Sequence, residues 1–181
     1  KQLRVDLTQQ VPGMAESPLH IHLGQGLSRG ERMDWAIQKA TELGVSEITP
    51  IVSERCEVRL KDERAEKRLV HWRQIAISAC EQSGRSRLPV IHAPLVLESW
   101  AQQSPAELKL VLHPLAESLS SHNKPKSLAF LIGPEGGLSE NEVASAQAAG
   151  FHAARLGPRV LRTETAPVAG LALAQFLWGD F

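Results

Sequence analysis

Tyrosine is absent from this chain of 181 residues, and Phe and Trp bring its aromatic content to only 4%. Single-stranded nucleic acid is commonly held by stacking bases on rings, so any such contact here has to rest largely on arginine. Cysteine is scarce as well. Cys56 and Cys80 form no CxxC pair and give no disulfide framework, which fits a reducing cytoplasm. There is no excess of either charge: 20 basic and 20 acidic side chains cancel, which argues against a simple polycationic binder. Nor is there a bilayer-spanning run. The longest apolar stretch, Val168 to Trp178, is interrupted by Gln175 and too short, so no membrane partner is expected. No signal peptide is visible, and the chain begins with Lys1 rather than Met, so an upstream segment is expected to be missing.

What remains is ordinary for a globular protein, with 43% hydrophobic and 22% charged residues and length for one good-sized domain. The charge is unevenly placed. Residues 55–87 hold nine basic side chains, among them Arg55, Arg59, Arg68, Arg73 and Arg85, against five acidic ones. That segment carries +4 and the rest of the chain −4. Two readings stay open, a solvated helix face laced with i,i+4 pairs and a phosphate-facing patch.

Leu3, Val5 and Leu7 alternate as a strand, and Pro12 to Pro18 reads as a linker. Leu19, Ile21 and Leu23 alternate as the next strand. Ser28 with Glu31 predicts a capping box opening a helix with Met33, Ile37 and Ala40 on one face. Ile48–Val52 is a strand, and a long helix is predicted from about Asp62 to Ser83 with Leu69, Trp72, Ile75, Ala76 and Ala79 inward. Strands are predicted at Val90-Ile91 and Leu108–Leu112, with a short helix near Leu97 to Gln102 between them. Ser127–Ile132 is nearly all apolar, as in a parallel strand buried on both faces. Ser139 and Glu142 form a second capping box, Phe151–Leu156 is a strand, and a last helix from about Glu164 to Trp178 buries Val168, Leu171, Ala172 and Leu177. Alternating strands and helices predict an α/β fold with a mostly parallel sheet and helices on both faces.

Ligands of such sheets bind where strands end, so the glycine-bearing turns after strands are the candidates. Gly24 to Gly30 almost matches a dinucleotide fingerprint but is one residue too long before its third glycine. Gly133-Pro134-Glu135-Gly136-Gly137 is a poor phosphate cradle: Pro134 lacks an N–H, Glu135 is negative, and no Lys follows. A neutral or cationic ligand would suit it better. In Leu156-Gly157-Pro158-Arg159-Val160-Leu161-Arg162-Thr163-Glu164-Thr165-Ala166-Pro167, Thr163 can cap the last helix. Two arginines beside that helix start oppose its partial positive charge, which points to an anionic or electron-rich partner. His20 and His22 share one strand face, but no third metal ligand lies within sequence reach, and no metal is expected.

The glycine turn at 133–137, followed by Leu156-Gly157 and Leu161-Arg162-Thr163-Glu164-Thr165-Ala166, resembles the two cofactor motifs of SPOUT methyltransferases. The wording is similar to the RsmE family of ribosomal RNA uridine-N3 methyltransferases. Gln38 to Val45, and Glu81-Gln82-Ser83-Gly84-Arg85 with Pro89, extend the match over residues 19–181. One departure is Cys56, where Ser is expected; another is a missing N-terminal PUA-like RNA-binding domain, of which residues 1–18 would be the last strand and linker.

The resemblance implies a C-terminal trefoil knot, a homodimer, and S-adenosylmethionine as the methyl donor. It implies small-subunit (16S) ribosomal RNA, or the assembled small subunit, as the substrate. Cofactor contacts would come from Leu131, Ile132, Gly133, Gly137, Leu156, Gly157, Leu161, Thr165 and Ala166. Deprotonated uridine N3 leaves charge on the flanking carbonyl oxygens, which Arg162, or failing that Arg85, would stabilise. Glu135 and Glu164 are the candidate proton acceptors. Arg55, Arg59, Arg68, Arg73 and Arg85 would hold RNA. Two alternatives remain: a SPOUT ribose 2′-O-methyltransferase acting on transfer or ribosomal RNA, and a non-catalytic RNA-binding domain that keeps the fold.

Overall fold

A computed structural model describes residues 4–6, 8, 9, 13, 15–58, 62–119 and 122–181. Among the described residues, seven strands are each joined by parallel pairing. They are β1 (His20–Gly26), β2 (Glu47–Val52), β3 (Val90–Ile91), β4 (Leu95–Val96), β5 (Leu108–Ser118), β6 (Ser127–Ile132) and β7 (His152–Arg155). The order across the sheet is β3-β2-β1-β6-β5-β7, with β4 pairing β2 beyond the end of β3. Helices α1 (Glu31–Glu42), α2 (Asp62–Ser83), α3 (Leu97–Gln103), α4 (Glu140–Ala148) and α5 (Thr165–Trp178) cover both faces.

The two faces have separate cores. Met33 and Ile37 of α1, Trp72 and Ala76 of α2, and Leu171 and Trp178 of α5 pack with Ile21, Leu23, Leu128 and Phe130. Leu97 and Trp100 of α3 and Ala146 of α4 pack with Val111, Ala129, Leu131 and Phe151 on the other side. β6 alternates between them, Leu128 and Phe130 one way and Ala129 and Leu131 the other, which is why no polar residue follows Ser127 in it. Truncating the fully buried Phe130 to Ala should cost about 3–5 kcal/mol.

Several expectations need correction. α1 starts at Glu31 behind Gly30, with no side-chain cap. Ser28 falls in the preceding loop, where its buried hydroxyl donates to the Gly26 carbonyl at 3.1 Å, so no capping box forms. The box at Ser139 and Glu142 is present. β5 runs past Leu112 to Ser118, re-pairing with β7 after a register shift between Leu112 and Glu117. Apolar alternation breaks at that shift, so the pattern ended the strand early. On α5 the buried stripe is Ala166, Pro167, Gly170, Leu171, Ala174, Gln175 and Trp178; Val168 and Ala172 are half-buried and Leu177 is exposed. A helix apolar all round gives no periodicity by which to choose its inner face. Val5 lies outside any strand and is exposed, while Leu3 and Leu7 fall outside the described residues.

Candidate active site

β6 and β7 run parallel on either side of β5, so the loops that leave them open on one edge of the sheet. Between those loops lies a cavity of about 700 Å³, lined by residues 132–138 on one side and 154–157, 159–164 and Ala166 on the other. The walls are held in place from β1. Gly26 lies so close to the Pro134 nitrogen that a Cβ there would overlap it, and a Cβ at Gly24 would overlap the Trp100 ring. Gly24 and Gly26, at the end of β1, therefore serve close packing rather than phosphate binding. Thr163, predicted as a helix cap, instead pins the two loops together. Its hydroxyl donates to the Gly133 carbonyl at 2.8 Å and receives the Gln25 side-chain N–H at 3.1 Å. Gly137 has φ of 69°, and a Cβ built there meets no atom within 4 Å, so the glycine leaves open space on the cavity wall.

Charge at the cavity divides into paired and unpaired groups. Arg32 Nη1 donates to Glu135 Oε1 at 2.9 Å, its Nε lies 3.9 Å from Glu164 Oε2, and the Arg29 backbone N–H donates to the same Glu135 oxygen at 3.0 Å. Burial alone would raise the Glu135 carboxyl. The backbone N–H groups and Arg32 outweigh it and hold the carboxyl below the usual range. Arg155, Arg159 and Arg162 also line the cavity, and among the described residues none of them makes an ion pair. An electron-rich group entering the cavity meets these guanidiniums first.

The sequence-derived candidates separate clearly in space. Ile132, Gly133, Gly137, Leu156, Gly157, Leu161 and Ala166 line the cavity, together with Glu135, Glu164 and Arg162. Leu131 is wholly buried in the core behind the wall, and Thr165 is an exposed residue at the start of α5. Arg85 lies at the opposite edge of the sheet. Its Nη1 donates to the carbonyls of Thr41 at 2.7 Å and Val45 at 3.1 Å, and its Nη2 pairs with Glu16 at 2.6 Å. With its side chain 7% exposed, it reaches neither the cavity nor a phosphate backbone, which corrects both roles given to it. Arg55 supports the glycine loop through the Gly136 and Leu138 carbonyls at 3.2 and 3.4 Å. Arg68 and Arg73 are exposed on α2, and Arg59 lies outside the described residues. Sequence reasoning missed Arg29, Arg32 and Arg155. The first two stand at the start of α1 after a glycine turn, the same anomaly that singled out Arg159 and Arg162.

Cys56 answers for the serine expected at its place. Its Sγ lies 3.3 Å from the Leu27 carbonyl and 3.2 Å from that of Val58, so the thiol serves as a weak donor to the loop beside the cavity. Burial raises its pKa and keeps it protonated for that task.

Fold and site together define an RNA methyltransferase domain of the SPOUT class, and the RNA methyltransferase domain family matches residues 15–175. The chain is 41% identical to the ribosomal RNA small subunit methyltransferase E of Buchnera aphidicola, over 96% of this chain and 72% of that protein. The ribosomal RNA small subunit methyltransferase E of Neisseria gonorrhoeae, solved bound to S-adenosyl methionine, superposes with a TM-score of 0.87 at 47% identity, over 92% of this chain and 70% of that one. A protein of Legionella pneumophila, solved with bound cofactor SAM, superposes at 0.90 with 43% identity, over 92% and 69%. The chain belongs to the ribosomal RNA small subunit methyltransferase E family.

Proposed function

We propose that this chain transfers a methyl group from S-adenosylmethionine to N3 of a specific uridine in small-subunit ribosomal RNA. The observation that carries the reading is the cavity between the 133–138 and 155–164 loops, with open space at Gly137 on one wall and, on the other, arginines that make no ion pair among the described residues. When bound there, the cofactor supplies an electrophilic methyl carbon on a sulfonium. The loop backbones of Gly133, Gly137, Leu156 and Gly157 hold it against the opening, and alignment of the two partners provides most of the rate. Transfer would form the N3–carbon bond and break the sulfur–carbon bond, leaving the electron pair on sulfur.

Arg162 stabilises the charge that N3 deprotonation leaves on the uridine oxygens. Glu135, held ionised by Arg32 and two backbone N–H groups, is too weak a base to take that proton and instead braces the glycine loop. Glu164 is the less engaged carboxylate, 3.9 Å from Arg32, and is assigned as the proton acceptor. RNA phosphates lie along Arg68 and Arg73. Exposed Leu173, Phe176 and Leu177 of α5, with Phe181, are assigned to a homodimer interface. Light scattering should therefore give about twice the chain mass of 19.8 kDa. Two unpaired cysteines, and no described helix long and apolar enough to cross a membrane, support action in the cytoplasm.

The test is to incubate the protein with labelled cofactor and small subunits lacking the modification, then map the product. N3-methyluridine at one position is the expected result. A methylated ribose would point to the 2′-O reading, and cofactor binding without any methylated base would point to a non-catalytic domain.

A further inference from the structure

The sheet carries a second cluster of reactive side chains, far from the glycine loops. Parallel pairing sets His22 of β1 against Glu47 of β2, and Glu47 against Val90 of β3. His92 follows β3 closely enough for its N–H to bond the Ile48 carbonyl at 2.9 Å. Three strands thus place His22, Glu47 and His92 together, with one donor atom from each within 4.8 Å of the others. The third ligand that the sequence around His20 and His22 lacks comes from across the sheet.

We propose that His22, Glu47 and His92 form a binding site for a divalent transition-metal ion such as Zn²⁺. Two imidazoles and a carboxylate are a donor set that such ions accept, with solvent completing the shell. His92 Nε2 already lies 2.6 Å from Glu47 Oε2, and His22 Nδ1 lies 4.0 Å from the same oxygen. Tetrahedral zinc, with bonds of about 2.0–2.2 Å, needs donors roughly 3.4 Å apart. Glu47 and His92 must therefore open by about 0.8 Å and His22 and Glu47 close by about 0.6 Å, through side chains that are 27% exposed at Glu47 and 38% at His92.

The surroundings prepare these groups to ligate. The Glu47 oxygen that His92 already meets is the one that faces His22 Nδ1. His20 holds the other carboxylate oxygen at 2.9 Å. Thr49 Oγ1 lies 2.8 Å from His22 Nε2, and such a partner fixes the ring and leaves Nδ1 facing Glu47. The metal displaces the proton shared by His92 and Glu47. Coordination through Nδ1 puts the His22 proton on Nε2, where Thr49 accepts it. The contact given up is the Trp100 indole N–H, now 3.2 Å from that nitrogen.

That exchange supplies a signature. Co²⁺ added to the chain should give a 1:1 visible spectrum that Zn²⁺ displaces, and Zn²⁺ should shift the Trp100 indole N–H and the His22 and His92 ring resonances. His92→Ala and Glu47→Gln should each weaken binding by at least about 10-fold. Both should leave S-adenosylmethionine affinity unchanged, because the cavity opens on the other edge of the sheet. Wild-type Zn²⁺ affinity in both variants would overturn the proposal. So would unshifted Trp100, His22 and His92 resonances in the unmutated protein, a readout that survives if a variant fails to fold.

Discussion

The two edges of the parallel sheet each present an arginine that the sequence marked for catalysis, and the structure uses them in opposite ways. Arg85 is closed in at the edge where β1 and β2 begin, its Nη groups bonded to Thr41, Val45 and Glu16 while its buried Nε has no partner among the described residues. Arg162 stands at the edge where β6 and β7 end, exposed on a cavity wall with no ion pair among the described residues. Acids are not lacking at the second edge: Arg32 has taken Glu135 and approaches Glu164. The lesson is that pairing within the fold, rather than charge or motif membership, decides which cation remains available to a substrate.

The largest effect expected from breaking this comparison is on turnover. Arg162→Ala should lower single-turnover methylation by about 10²–10³-fold, as the loss of one oxyanion donor does, with stability changed by less than about 0.5 kcal/mol. RNA affinity should fall less than turnover does. Arg85→Met should do the reverse. It leaves Glu16 and two carbonyls without their donor and should cost about 2–3 kcal/mol in a denaturant titration, while the folded fraction keeps its cofactor affinity.

Acid sharpens the same contrast at the histidine cluster. His22 titrates near 6.5 when unfolded and at about 4 in the fold, so its folded form prefers the neutral ring. Its contribution is full above pH 6.5 and is lost as pH falls from there towards 4. Stability should drop by on the order of 2 kcal/mol between pH 7.5 and 5, and His22→Gln should flatten that slope. On α2, Arg68→Ala with Arg73→Ala should reduce the log–log salt slope of RNA binding by roughly 0.7–0.9 per lost phosphate contact. An unchanged slope would make that helix face merely solvated. The smallest effect is at Cys56. Replacing it with Ser exchanges a weak donor to the Leu27 carbonyl for a stronger one and should move stability by less than about 1 kcal/mol.

Much of the fold was legible because period and punctuation agreed. The α2 boundaries and both cavity loops follow from buried positions at helical spacing and glycines at strand ends. Beyond the end of β5 and the inner face of α5, the failures share one cause, which is that the partner is distant in sequence. Ser28 looked like a cap because Glu31 follows it, and Thr163 because α5 does, yet the two hydroxyls lie 3.3 Å apart across 135 positions. Arg85 sat in a family-like motif whose carbonyl partners lie 40 and 44 residues away. Glu47 and His92 join His22 only through strand register. Seven of the nine residues read as cofactor contacts line the cavity, all but Leu131 and Thr165, whereas Arg32 was not foreseen, since its importance comes from the two carboxylates it meets.

The most direct measurement is calorimetric titration of S-adenosylmethionine into the unmutated chain, Gly137→Val and Arg85→Met, each with and without chelator. The account predicts one site per chain, unaffected by chelator, retained in the folded Arg85→Met protein and lost in Gly137→Val. A branched side chain at Gly137 would fill the open space on the cavity wall and could not easily adopt a φ of 69°. Undiminished binding to a folded Gly137→Val protein would contradict it, because the cofactor would then have to sit somewhere other than between the two loops.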